Sequence, residues 1–148
     1  YPGIITWKTE PSDGNTEYSI AMFYEGLRKG KYECFLKEGT VLPMMYIDDA
    51  IKATIDIMEA PSERIKVRTS YNLAAISFGP KELEAELKKH IPNLEVTYKP
   101  DFHQPIADSW PRSIDDSVAR TDWGWEPAYD LASMTKEMIK ELRNLFQS

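Results

Sequence analysis

Residues 42–53 read LPMMYIDDAIKA. Within them "PMMYI" at 43–47 reads as a strand, and Asp48 or Asp49 can then cap a helix carrying Ile51, Ile55 and Met58 on one side. A strand that hands directly to a helix is α/β material. The flanking sequence repeats the alternation. Upstream, residues 16–29 (TEYSIAMFYEGLRK) set Ile20, Phe23, Tyr24 and Leu27 on one helical face, with Gly30 able to end the helix, and "YECFL" at 32–36 follows as a strand. Downstream, "SYNLAAISF" at 70–78 reads as a strand, and Pro80 opens a helix that carries Leu83 and Leu87. "LEVTY" at 94–98 alternates like a half-buried strand. Ser113 to Asp116 resembles a capping box for a short helix ending near Trp123. Leu131, Met134, Met138, Leu142 and Leu145 make the clearest amphipathic helix.

Nothing separates this material into two units. No repeat, low-complexity tract or linker interrupts residues 1–148, which read as a single α/β unit. With 42% hydrophobic and 11% aromatic residues, the 148-residue chain can bury a sizeable core. A net charge of -6 offers no basic stripe for phosphates, which argues against nucleic acid and against an anionic membrane surface. No run of 18 apolar residues occurs, no signal peptide opens the chain, and Cys34 alone cannot form an internal disulfide. The expectation is a cytoplasmic protein, or a mitochondrial one in a eukaryote.

The usual catalytic motifs are missing. His90 and His103 lie at no metal-ligand spacing from each other or from Cys34, so no metal site is expected. No P-loop occurs, no G-x-G-x-x-G opens a helix, and no Ser-His-Asp set can be argued. Tyr-x-x-x-Lys is absent too, since Tyr24 meets Arg28 and Tyr32 meets Leu36 at that spacing.

Six segments in one order carry a resemblance: "YPGII" at the start, "GNTEY" at 14–18, "LPMMYIDDAIKA", "YNLAAISFGPKEL" at 71–83, "ADSWP" at 107–111 and "DWGW" at 122–125. Together they resemble the C-terminal half of the short-chain-dehydrogenase-type L-threonine 3-dehydrogenases. These are NAD-dependent relatives of the UDP-galactose epimerases. The resemblance implies the C-terminal part of an extended Rossmann fold: its last sheet strands plus the small substrate-binding lobe. It also implies that the glycine-rich loop and the catalytic Tyr-x-x-x-Lys helix lie upstream of Tyr1, so no catalytic residue is expected in this chain. Full-length members dimerise.

Site residues follow from the same resemblance. Tyr1, Pro2, Gly3 and Ile4 match a strand end against the nicotinamide of NAD, where Gly3 admits close approach. Gly14 and Thr16 match a Gly-Thr-Thr segment near the substrate L-threonine, with Asn15 departing from it. Thr16 is equally readable as the N-cap of the next helix. Trp110 matches a substrate-pocket tryptophan, an apolar wall that excludes water from hydride transfer. Trp123, Trp125 and Cys34 read as core, Met44 and Met45 as core or pocket wall, Trp7 as a rim residue, and Asp48 and Asp49 as caps.

Two alternatives stay open. One is a nucleotide-sugar epimerase or dehydratase, disfavoured because Pro43-Met44-Met45 stands where such enzymes commonly place arginine. The other is a non-catalytic binding module. The first reading predicts that the isolated chain binds NAD weakly and oxidises no threonine.

Overall fold

A computed structural model describes residues 1–147. The LPMMY segment is its central strand, β3 (Leu42–Tyr46), flanked by β1 (Gly3–Ile5) in parallel and β4 (Ile76–Phe78) in antiparallel. Side-chain alternation turns Leu42, Met44 and Tyr46 into one core layer and Met45 into the other, and every β3 residue is buried. Helices α1 (Glu17–Lys29), α3 (Pro80–Lys88) and α6 (Leu131–Gln147) build the first layer, which joins Phe23, Leu83, Leu87, Met134, Met138 and Leu142. Across the sheet, Ala50 and Ala53 of α2 (Ile47–Glu59) pack with Met45, Trp123 and Trp125. A second, two-stranded parallel sheet pairs β2 (Lys31–Cys34) with β5 (Glu95–Tyr98). Two further helices are short: α4 (His103–Asp108), and α5 (Ser117–Trp123), whose Ala119 and Trp123 pack with Met45 and α2.

Local chemistry explains the best-read elements. Gly30 ends α1 at φ 69°, a left-handed turn in which its N–H bonds Gly26 O at 3.0 Å. Asp130 caps α6 by accepting the Ser133 N–H at 2.7 Å, and Ser133 Oγ accepts the Asp130 N–H in return at 3.0 Å. The Met134, Met138 and Leu142 stripe is fully buried as the spacing required, so truncating Leu142 to alanine should cost about 2–5 kcal/mol.

The structure departs from the sequence reading at four places. Asp49 does not cap α2, whose cap position is held by Tyr46 without a side-chain bond. Its buried carboxylate instead accepts the backbone N–H groups of Ala128 at 2.7 Å and Tyr129 at 3.1 Å. Nor does the apolar side of α2 face the core: Ile51, Ile55 and Met58 are 49%, 48% and 79% exposed. The helix packs through its small alanines, which let it lie close over the sheet. Only residues 76–78 of the expected 70–78 strand pair with a neighbour. The Ser113–Asp116 capping box is not formed. The helix begins at Ser117, and Asp116 turns away to accept Ala74 N–H at 3.3 Å and Arg120 Nε–H at 2.8 Å.

Candidate functional site

The strand register sets Gly3 opposite Met44, and Thr16 at the start of α1 packs against it. A Cβ on Gly3 would stand 2.5 Å from Thr16 Cγ2 and 2.9 Å from Met44 Sδ, closer than packed atoms approach. The close approach at Gly3 seen in the structure is that of Thr16. Members of the two separately predicted groups, Gly3 and Thr16, are therefore in contact.

Thr16 occupies the cap position of α1, yet its side chain makes no cap hydrogen bond. Its carbonyl is the group engaged, accepting Ser19 N–H at 3.2 Å and Ser19 Oγ–H at 2.7 Å. The Thr16 hydroxyl is left without a hydrogen-bond partner among the described residues. Beside it Asn15 is buried, and its carboxamide likewise finds no partner among them. Gly14 turns the chain into α1 by accepting Glu17 N–H at 3.0 Å. A half-buried corner thus presents an unspent hydroxyl and carboxamide, groups suited to a small polar ligand. Sequence reading named Thr16 and met Asn15 only as an oddity.

The other predicted residues are more spread. Gly3 and Ile4 lie inside β1, opposite Met44 and Met45. Pro2 is buried, while Tyr1 is exposed and its hydroxyl bonds Thr54 Oγ1 on α2. The outer edge of β1 carries no strand among the described residues. Past Ile5, Trp7 is half-buried against the core, and its carbonyl accepts the Tyr24 hydroxyl at 2.8 Å.

Trp110 follows α4, with its N–H bonded to Ala107 O at 3.1 Å, and its side chain is 43% exposed. It walls an open cleft of about 480 Å³ shared with Lys37, Thr40, Gln104 and Arg112. Buried Gln104 braces that cleft: Oε1 accepts Lys37 N–H at 2.7 Å, and Nε2 donates to Asp108 Oδ1 at 2.7 Å. Gly3, Gly14 and Thr16 do not line it. The structure joins Gly3 to Thr16 and keeps Trp110 in a neighbouring cleft of its own.

Burial shifts one thiol and several phenols upward. Burial pushes the Cys34 thiol up to about 11, which makes it a small core side chain and no nucleophile. Burial likewise raises the phenols of Tyr18, Tyr32, Tyr46 and Tyr98, so each stays protonated at neutral pH. Tyr24 and Arg28, the nearest approach to a Tyr-x-x-x-Lys pair, are structural: Arg28 lies over the Tyr24 ring at 5.1 Å and pairs with Glu10 at 2.7 Å.

No family model matches the chain. Curated relatives do. The mitochondrial L-threonine 3-dehydrogenase of Bos taurus is 50% identical over 140 residues, 94% of this chain and 37% of that protein. An uncharacterized epimerase/dehydratase of Staphylococcus haemolyticus is 44% identical over 149 residues, 100% of this chain and 47% of its own length. Among solved structures, the L-threonine dehydrogenase from Phytophthora infestans superposes with a TM-score of 0.95 at 46% identity, covering 98% of this chain and 47% of that one. The chain spans less than half the length of each. Its α/β architecture is that of their C-terminal part. By sequence and fold, the chain belongs to the epimerase-like L-threonine 3-dehydrogenase family, of whose members it represents the C-terminal half.

Proposed function

We propose that this chain supplies the substrate-facing half of an NAD-dependent L-threonine 3-dehydrogenase, which oxidises the 3-hydroxyl of L-threonine to give 2-amino-3-ketobutyrate. The observation that carries the reading is the unspent hydroxyl of Thr16, whose γ-methyl packs against Gly3. Thr16 donates a hydrogen bond to the threonine carboxylate, and the first amides of α1 add a favourable field there. Gly14 shapes that turn. Trp110 closes the site from the neighbouring cleft and excludes water.

Bound NAD supplies the hydride acceptor. The residues present fit its nicotinamide end alone: Tyr1 to Ile4 offer the open edge of β1, and the sequence holds no glycine-rich loop for a pyrophosphate. The catalytic tyrosine and lysine belong to the other half of the fold, so the isolated chain binds NAD weakly and turns over no threonine. The whole enzyme works as a homodimer in the cytoplasm, or in the mitochondrion of a eukaryote, without nucleic acid or membrane partners.

One observation favours a second reading. Lys37 and Arg112 in the Trp110 cleft have no ion-pair partner among the described residues, and two such cations suit the diphosphate of a nucleotide sugar. Against it, Pro43, Met44 and Met45 are buried inside β3 and present nothing to a ligand.

The test uses a full-length enzyme carrying this sequence as its C-terminal half. Threonine-dependent NADH formation is expected. Thr16→Val should raise the KM for threonine about tenfold, and Trp110→Ala should lower kcat/KM by about 1–3 kcal/mol. Turnover of a nucleotide sugar with none of threonine would sink the proposal in favour of the second reading.

A further inference from the structure

His103 opens α4, on the side of the molecule that carries Trp110, and its buried ring reaches the turn that delivers Thr16. The ring is stacked between Phe102, with centroids 3.9 Å apart, and Phe35, at 4.2 Å. Asp101 fixes its orientation, since Oδ1 accepts the His103 backbone N–H at 2.9 Å and lies 2.7 Å from Nδ1. Nε2 lies 3.3 Å from Asp13 Oδ1, within ion-pair distance, but it is buried and makes no hydrogen bond among the described residues. Asp13 immediately precedes Gly14. The remaining hydrogen bonds of this turn run within it or to the first turn of α1, among them Ser12 N–H to Glu17 Oε2 at 2.9 Å and Glu17 N–H to Gly14 O at 3.0 Å.

We propose that His103 is a positioning residue, which ties the Asp13–Thr16 turn to the lobe bearing Trp110 and so sets the separation of the two walls around the substrate. The proposal rests on reading Thr16 and Trp110 as substrate-facing. Its physical basis is asymmetry. Asp13 is exposed and can shift at little cost, whereas the imidazole is buried and held by Asp101, so its unbonded Nε2 is satisfied when Asp13, already 3.3 Å away, closes on it. A ring that served the core alone would need only its two phenylalanine neighbours.

Two measurements separate the tie from the function. On the chain itself, amide hydrogen exchange is compared for the parent, His103→Phe, Asp13→Ala and Asp13→Asn. His103→Phe keeps the stack without the nitrogens, and the Asp13 changes are at an exposed site that leaves folding intact. Exchange at Gly14 to Tyr18 should quicken about fivefold in His103→Phe and in Asp13→Ala, no further in the double variant, and recover in Asp13→Asn, which keeps an acceptor. In the full-length enzyme, the same variants should raise the KM for threonine by about the same factor, with kcat and the KM for NAD within about twofold. Unchanged exchange overturns the tie. Faster exchange with an unmoved threonine KM overturns the positioning role and leaves His103 a core residue. A full-length enzyme with no threonine turnover sinks the functional reading, and the positioning role with it.

Discussion

Thr16 presses its γ-methyl onto the bare Cα of Gly3, where an added Cβ would be 2.5 Å away. That contact joins the first strand to the first helix at the proposed substrate corner. Gly3→Ala should destabilise the chain by about 1–3 kcal/mol through overpacking. Thr16→Ser removes the methyl in the way, so the double variant should be less destabilised than the two single effects summed. Urea denaturation of the four proteins checks this. Additive losses would mean that Gly3 is needed for some reason other than Thr16.

Asp49 sits buried at the start of α2 and receives two backbone N–H groups from Ala128 and Tyr129. Removing the carboxylate strands both donors, and the segment entering α6 loses its tether. Asp49→Ala should cost about 1–3 kcal/mol in all and open residues 126–130 to limited proteolysis. Asp49→Asn keeps one acceptor and should lose less. Equal stability of Asp49→Ala and parent would contradict the role assigned to the tether.

Alkaline titration follows from the buried phenols. Tyr18, Tyr32, Tyr46 and Tyr98 have folded values raised above the ordinary phenol value of about 10, chiefly by burial and, for Tyr98, next by its bond to Glu84. The folded chain holds these protons more tightly than the unfolded chain does. Their contribution is complete below pH about 10 and is lost as pH rises through the raised values. Phenolate absorbance from these tyrosines should therefore appear together with loss of far-ultraviolet ellipticity. Full tyrosine titration with the ellipticity intact would refute the burial argument.

Much of the fold was legible because it depends on local periodicity. The α1 and α6 stripes, the β3 run and the Gly30 stop each follow from spacing or backbone freedom within a few residues. What stayed hidden depends on distant partners. The apolar side of α2 is a true helical stripe, but periodicity cannot tell which side of a helix its neighbours cover, and Ala50 with Ala53 won. Asp49 looked like a cap because Ala128 and Tyr129 are remote in sequence. Helix α4 was missed because its six residues, HQPIAD, are too short for a stripe. At the site, glycine chemistry suggested room at Gly3 for a nicotinamide, and could not name Thr16, thirteen residues on, as its packing neighbour. His103 was set aside for lacking metal spacing, and nothing in its neighbourhood of the sequence points to Asp13.

The exposed side of α2 leads to the last prediction. Ile51, Ile55 and Met58 form an apolar stripe in solvent, while the outer edge of β1 presents unpaired backbone groups among the described residues. Each feature alone invites association, since an open edge templates strand pairing and fully burying one such side chain gains about 1.5–3 kcal/mol. The chain in isolation should therefore self-associate with rising concentration. Replacing Ile55 and Met58 with lysine removes the apolar drive and adds repulsion between copies. Because both side chains already face water, the double variant should keep the parent's unfolding midpoint at low concentration while shifting the sedimentation profile towards monomer. A parent chain that sediments as monomer at every concentration would show that neither the stripe nor the edge is sticky enough to matter. An associated species unaffected by the lysines would move the contact to β1 alone.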